Sequence, residues 1–564
     1  MRCVGKADTV RVATPSTALA FHRRVLSRPA ADPATNLVTG TVTRYLVLAL
    51  NVGVGVVLMP FTVGHLGQTE YGLWMLVASL TTYFQLLDLG YGNGVVRHLV
   101  EADRRGDTEE VNRIASTFVC VYSVIAVVAC IAIGVMARAV VPRFPRLTPA
   151  QVSVAQVLLV ILGARVAIGF PLTVFGAVTN ARQGFVLNNL VASATVIASA
   201  ICTYVVLEGG GGLLTLVATT TAINILGYAG YAWTAYRVMP ELHIHPSYFS
   251  AARWRDVTSF SLYLFVINLA GQISFNIDNV VIGAVLGPAA VAVYTIALRM
   301  SEYQRRMCDQ FSGMLFPVAM AFGTDGDRRA LKRTLVEGNR IAMTLVAGAA
   351  VCLIGFSGPL IARWMGPAFA GSVMPFNVLA VASVIVVSQA ASPNVLIAVG
   401  RHRIVTWIWI VEAAANLGLS VVLVHKLGLV GVAVGTLVPL VFGHLGVMLT
   451  AASRAVGMSV ARCAYETTRP AVVAAFIAAC ACALVRAVRP PSTATALVVE
   501  AMFVALAYIT SLATVGFDRS TRRAYASQLR RAAAAAASAV VPQTGRRATN
   551  VDPDGPLSSS VSVP

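Results

Sequence analysis

Leu66-Gly67-Gln68-Thr69-Glu70-Tyr71-Gly72-Leu73-Trp74 returns in outline as Leu286-Gly287-Pro288-Ala289-Ala290-Val291-Ala292-Val293-Tyr294, 220 positions later. Asp88-x-x-x-Gly92 returns as Asp309-x-x-x-Gly313, and Gly106-Asp107 as Gly326-Asp327. Gly209-x-x-Gly212 returns as Gly428-x-x-Gly431. Four anchors within one residue of a common offset mark an internal duplication. Apolar stretches of about 20 residues, each long enough to cross ~30 Å of hydrocarbon, surround the anchors. Each copy holds six of them. Six is even, so both copies enter the membrane in the same direction and are related by a pseudo-two-fold axis along its normal.

Composition agrees with a membrane protein. Of 564 residues, 57% are hydrophobic and 12% charged, half the charge of a soluble domain, which carries about 25%. That excludes a cytosolic globular enzyme, a secreted disulfide scaffold and a disordered chain. The net charge is +19. Only Lys6, Lys332 and Lys426 are lysines, so the rest is guanidinium. Most of it lies between apolar stretches, where it sets topology and meets anionic lipid rather than nucleic acid. The nine cysteines show no metal-ligand spacing, and Cys480-Ala-Cys482 lies inside an apolar stretch. His243-x-His245 reads as ordinary loop. No metal site is expected.

The fold class expected is therefore all-α: a polytopic membrane protein of about 14 transmembrane helices. The spans fall at 40–63, 71–96, 114–137, 152–178, 187–207, 213–236, 258–284, 289–312, 341–362, 375–398, 404–424, 428–450, 471–488 and 494–515. The eighth continues to Phe322, with a bend expected near Gly313 and Pro317. With the N-terminus inside, cytoplasmic loops hold 17 Lys or Arg and outer loops 7, so both termini are expected to be cytoplasmic. The expected organisation is a basic cytoplasmic tail at 1–38, six-helix bundles at 39–257 and 258–453, two extra helices at 454–515, and a tail at 516–564 that is first basic, then disordered.

The same motifs carry a family likeness. Tyr71-Gly72-Leu73-Trp74, Asp88-Leu89-Gly90-Tyr91-Gly92 and the loop with Gly106-Asp107 resemble the second span and following loop of polysaccharide flippases. Asp278-Asn279-x-x-Ile282-Gly283-x-x-Leu286-Gly287 with Val293-Tyr294 resembles the seventh-to-eighth span region. The family is the multidrug/oligosaccharidyl-lipid/polysaccharide (MOP) exporter superfamily, in its Wzx-type O-antigen branch, and the likeness covers about residues 40–515. It implies two bundles around a central cavity, and alternating access that carries an undecaprenyl-diphosphate-linked oligosaccharide outward across the bacterial plasma (inner) membrane. The products it implies are polysaccharides such as lipopolysaccharide O-antigen. Its implied partners are that polyprenyl lipid, membrane lipids and other polysaccharide assembly proteins. No cofactor is implied, and coupling to H+ or Na+ is left open.

Charges within the spans are candidate site residues, because each costs about 2.5–3.5 kcal/mol to insert at a helix centre. Arg299, Glu302, Arg306 and Asp309 share a helix face at i, i+3, i+7 and i+10, and Arg305 reaches Asp309 at i+4. Local pairing of Glu302 with Arg306 and of Arg305 with Asp309 is the competing reading. Arg165 lies near mid-membrane with no acid within a turn, and Glu412 of the eleventh span is its candidate partner. Arg165 and Arg299 fit the two phosphates of a diphosphate, since guanidinium gives bidentate donors and keeps its charge. Arg44 is a further cation, at the cytoplasmic start of the first span, where snorkelling also explains it. Asp88, Asp309 and Glu412 are candidates for coupling or structural pairing. Tyr83, Gln85, Asn268, Gln272, Asn276 and Tyr303 offer polar and aromatic contacts for sugar, or pack helices.

Catalysis is not expected. A membrane polysaccharide polymerase or glycosyltransferase needs a catalytic site on a sizeable outer loop, and the outer loops are short, with Glu70 and Glu208 their only acids. No GxxxxGK[ST] phosphate loop occurs. Within the transporter class, a lipid II flippase and a MATE-like drug exporter are the rivals. The drug branch usually carries an acid in its first span, and residues 40–63 contain none.

Overall fold

The computed structural model describes residues 33–258, 277–488, 493–517, 522–523 and 527. Regular structure among them is helical throughout. Half one is built from α1 (Pro33–Thr82), α2 (Tyr91–Arg104), α3 (Thr108–Val135), α4 (Pro149–Ala181), α5 (Phe185–Glu208) and α6 (Leu213–Val238). Half two is built around α7 (Pro288–Thr324), α8 (Arg328–Gly355), α9 (Val373–Ser388) and α10 (His402–Leu440). Two further helices follow, α11 (Val460–Val488) and α12 (Ala494–Ser511).

Ten helical segments among the described residues are long and apolar enough to cross a membrane. The chain is a multi-pass helical membrane protein. Two of the ten are double: Gly67 at φ 76° breaks α1, and Gly428 at φ 58° breaks α10. Only glycine takes such angles at low cost. α7 is not among the ten: Arg299, Glu302, Arg305 and Arg306 crowd its first half, and several side chains beyond them lie outside those described. It runs as one helix through Gly313 and Pro317. The expected seventh span falls largely on 259–276, outside the described residues, as do most of both tails.

Backbone angles reproduce the sequence repeat. Gly67 and Gly287, matched by the 220-residue offset, have φ 76° and 93°. Gly106 and Gly326 have φ 69° and 68°. The aspartate after each caps the next helix: Asp107 accepts from the Glu110 N–H, and Asp327 from the N–H groups of Arg329 and Ala330. A capping carboxylate satisfies amides that the helix start leaves open.

The halves differ in where they break. The second span, read from sequence as unbroken over 71–96, is discontinuous. α1 ends at Thr82, a 3-10 turn covers Tyr83–Asp88, Leu89 and Gly90 take φ 51° and 76°, and α2 starts at Tyr91. Gly90, Gly92 and Gly94 lack the side chains that favour helix over this bend. Half two breaks its expected 375–398 span at Gln389–Ala391 instead. There Asn339 of α8 satisfies the freed groups. Its Oδ1 accepts from the Ala391 N–H at 2.8 Å, and its Nδ2 donates to Ser392 Oγ at 3.0 Å.

Contacts between the halves gather near residues read as outer loops. Gly72 of α1 lies against the carbonyl of Pro288 at the start of α7, where an added Cβ would come within 1.8 Å of that oxygen. Gln68 Nε2 donates to Ala368 O at 3.2 Å, Trp364 Nε1 to Val56 O at 2.7 Å, and Arg146 Nε to Val285 O at 3.1 Å. Deeper in, Asn279 Nδ2 donates to Ser79 Oγ at 2.9 Å. The halves are closed at this end. α11 and α12 dock on half two through a buried cluster that includes Phe356, Ala474, Ala478, Val504 and Tyr508.

Gly72→Ala is expected to force α1 and α7 apart and to destabilise the protein by about 1–3 kcal/mol, as overpacking does. Gly53→Ala, in the same helix with open space around it, is the matched control. Thermal unfolding in detergent with membrane abundance checks both. Equal behaviour of the two variants would refute the close contact.

Candidate functional site

A cavity of about 490 Å3 lies between the halves, lined by α1 and α7 with Thr203 of α5. α7 contributes Arg299, Tyr303 and Arg306, which share a face at i, i+4 and i+7. α1 contributes Asn51, Gly55, Thr62, Tyr71 and Trp74. Gly55 leaves room for the Tyr303 ring, whose hydroxyl would sit 2.5 Å from a Cβ there. Tyr71 and Trp74 meet edge to face, with centroids 6.1 Å apart.

Glu302 balances this face only in part. Its Oε2 lies 2.9 Å from Arg299 Nη1 and 3.8 Å from Arg306 Nη2. The pairing with Arg306 expected from sequence is present but looser than the one with Arg299. Among the described residues, two guanidinium groups share this one carboxylate. Both arginine side chains are more than 40% exposed and Glu302 is 18% exposed, so the cations front the cavity. Arg305 lies on another face, lining a space of about 20 Å3 with Asp278 and Ser301. The Asp309 side chain lies outside the described residues, as do Asn268, Gln272 and Asn276.

The other expected charges are dispersed. Arg44 lines a separate cavity inside half one. Arg165 is half-buried on α4 and lines neither cavity. Its expected pairing with Glu412 is not present. Glu412 instead bonds through Oε1 to His444 Nδ1 at 2.8 Å, with both side chains under 10% exposed. The cause is local. Residues Val441–Met448 form a π-helix, and Gly443 packs on the Glu412 carboxylate with no room for a side chain. Asp88 sits at the break before α2, where it accepts from the Tyr122 hydroxyl and, at 3.4 Å, from the Gly92 N–H. That is a helix-end anchor.

Asp278 was missed as a site residue. It is 2% exposed. Its Oδ2 accepts from the Tyr294 hydroxyl at 2.6 Å and from Thr436 Oγ1 at 3.0 Å. Its Oδ1 is buried with no hydrogen-bond partner among the described residues. The sequence signal was the polar pair Asp278-Asn279 within an apolar stretch. Among the described residues no group of three His, Cys, Asp or Glu side chains could hold a metal ion.

The model of the family described as "Polysaccharide biosynthesis protein" matches residues 37–318. The chain belongs to that family. It is 22% identical over 407 residues to the uncharacterized membrane protein EpsK of Bacillus subtilis strain 168, covering 70% of this chain and 78% of that protein. The uncharacterized membrane protein MJ1068 of Methanocaldococcus jannaschii is 22% identical over 231 residues, 41% of this chain and 44% of that one. In fold, this family member is similar to the lipid II flippase MurJ in its inward closed conformation. The TM-score is 0.68 at 13% identity, over 84% of this chain and 98% of MurJ. An inward-facing multidrug resistance MATE family transporter of the MOP superfamily gives 0.58 at 16% identity, over 71% and 98%. The chain shares the fold of these two solved proteins, a lipid II flippase and a multidrug transporter.

Removing either partner of the buried Glu412–His444 pair leaves the other unsatisfied. Glu412→Ala and His444→Ala are each expected to cost about 3–5 kcal/mol. Glu412→Gln with His444→Gln should cost less than the sum of its single changes. Adding Arg165→Gln to Glu412→Gln should rescue nothing. A double-mutant cycle on membrane abundance and unfolding temperature checks this, and a rescue by Arg165→Gln would restore the pairing rejected above.

Proposed function

We propose that the protein flips an undecaprenyl-diphosphate-linked oligosaccharide from the cytoplasmic to the outer face of the bacterial plasma membrane by alternating access, for surface polysaccharide assembly. The observation that carries this is the cavity between the halves, with Arg299 and Arg306 sharing one carboxylate. A diphosphate needs fixed cations, and these two guanidinium groups supply the attraction. A cation facing lipid would be strongly disfavoured, so this charge is suited to a polar cargo. The family match and the closed contact at Gly72 support the same reading. Halves closed at one end and parted elsewhere are one of the two states that alternating access requires.

Coupling to H+ or Na+ completes the scheme, with Asp278 as its carrier. Asp88 and Glu412 already have their hydrogen bonds, whereas Asp278 holds one buried oxygen without any among the described residues. A proton or a small cation would satisfy it. Orientation follows the loop charges, with 97–113, 323–340 and both termini in the cytoplasm.

Deletion is expected to accumulate lipid-linked oligosaccharide and abolish surface polysaccharide. Arg299→Ala with Arg306→Ala should reduce export at least about tenfold at normal protein abundance, the loss of a charge-assisted contact. Arg299→Lys should keep part of it, and Asp278→Asn should abolish its dependence on the ion gradient. Surface polysaccharide measured beside membrane protein level reads all four. Undiminished export by the double alanine variant would end the diphosphate assignment.

For topology, Arg105→Cys in a cysteine-free background should resist an impermeant maleimide in intact cells and react after permeabilisation. Labelling of intact cells would invert the orientation.

A further inference from the structure

The cavity inside half one is larger than the one between the halves and has no part in the scheme so far. Its volume is about 640 Å3, within the about 300–1,000 Å3 typical of ligand pockets. All six helices of half one line it, and five of them meet at the end away from the Gly72 contact. Arg44 comes from the early turns of α1, Gly92 from the start of α2, Asn180 from the end of α4, Asn188 from the start of α5 and Tyr231 from the last turns of α6.

Its polar groups are only partly engaged. Asn188 Nδ2 donates to Gly176 O at 3.0 Å and to Asn180 Oδ1 at 2.8 Å, and Asn189 Nδ2 donates to Thr43 Oγ1 at 2.8 Å. These bonds fix both amides in place. Asn188 Oδ1, by contrast, is buried with no partner among the described residues. The hydroxyls of Tyr228 and Tyr231 and the Arg44 guanidinium make no hydrogen bond among the described residues. In a membrane bundle such groups cost free energy unless water or a polar ligand satisfies them.

The chemistry of this lining selects a ligand class. One exposed cation is too little for a diphosphate, and the amides and phenols are too polar for an acyl chain. Phenol and amide groups set among aromatic faces suit a sugar ring, which has apolar C–H faces and a rim of hydroxyls. The two cavities are also in register. Arg44 lines this one and Asn51 the other. Seven residues apart on α1, they share a face and lie about 10 Å apart along the axis. A headgroup with its diphosphate at Arg299 and Arg306 would place its sugars towards this cavity.

We propose that the half-one cavity is the carbohydrate subsite, which takes the sugar units next to the diphosphate through Asn188, Tyr228 and Tyr231. This rests on the reading of the substrate as a lipid-linked oligosaccharide. The test uses the full-length protein in nanodiscs. The probes are bare undecaprenyl diphosphate and the same lipid bearing N-acetylglucosamine, glucose or galactose, with phosphatidylglycerol as competitor.

At least one glycosylated probe should bind about tenfold tighter than the bare lipid, the worth of two neutral hydrogen bonds. Tyr228→Phe with Tyr231→Phe should remove that difference and leave the affinity for bare lipid unchanged. Ala192→Phe, which fills the same cavity without touching the hydroxyls, should do likewise and serves if the first variant misfolds. Equal binding of all four polyprenyl probes by the wild type overturns the subsite. So does a sugar preference that survives both variants, or one erased by phosphatidylglycerol. If the bare lipid binds and Arg299→Ala weakens it, only the subsite falls. If no polyprenyl diphosphate binds, the substrate reading falls too.

Discussion

The approach of Gly72 to the Pro288 carbonyl sets where the two halves can meet. Backbones come this close only where no Cβ intervenes, and small residues play this part in membrane helix packing generally. Hydrophobic burial cannot drive the contact in lipid, because the lipid tails are as apolar as the side chains. Shape and hydrogen bonds have to carry it. Glycine supplies the shape, and the indole of Trp364, the amide of Gln68 and the guanidinium of Arg146 supply the bonds to opposing carbonyls. With this end closed, α1 and α7 are held side by side, and the cavity they line falls between the halves.

Charge in that cavity is arranged by helix periodicity. Arg299, Glu302 and Arg306 lie within two turns, so one carboxylate serves two guanidinium groups and satisfies neither fully. Other acids within the spans are treated differently. Glu412 is hydrogen-bonded to His444 across a π-helical turn. Asp88 is spent on a helix start and a tyrosine hydroxyl. Asp278 keeps one oxygen without a partner among the described residues. A residue's availability to a ligand therefore follows from what its neighbours have already satisfied, not from its charge or its depth.

The repeat is a repeat of turns more than of functional groups. Gly67 and Gly287, and Gly106 with Asp107 against Gly326 with Asp327, keep the same backbone shape in both halves. The helices between them have diverged. Half one interrupts its second span at Asp88–Gly90, whereas the matching stretch of half two runs through α7 without a break. That continuity lets α7 present its charged face over several turns. The break in half one brings α2 to the wall of the larger cavity.

The sequence by itself determined the class, most of the apolar spans, the duplication and the charged face of α7, because these depend on composition, on spacing along the chain and on the 3.6-residue period. It also marked Gly106-Asp107 and Gly326-Asp327 as matched positions, and the structure showed that each aspartate caps the next helix. It could not place the break in the second span, where three glycines remove helix propensity without saying whether the helix yields. Only the tertiary structure gave Glu412 to His444 and left Arg165 without it, because that choice depends on which face of α10 meets the π-helical turn. Only packing across six helices assembled the half-one cavity around Asn188, Tyr228 and Tyr231. None of these stands out in its own stretch of sequence, and they become a site only when distant helices set their side chains together.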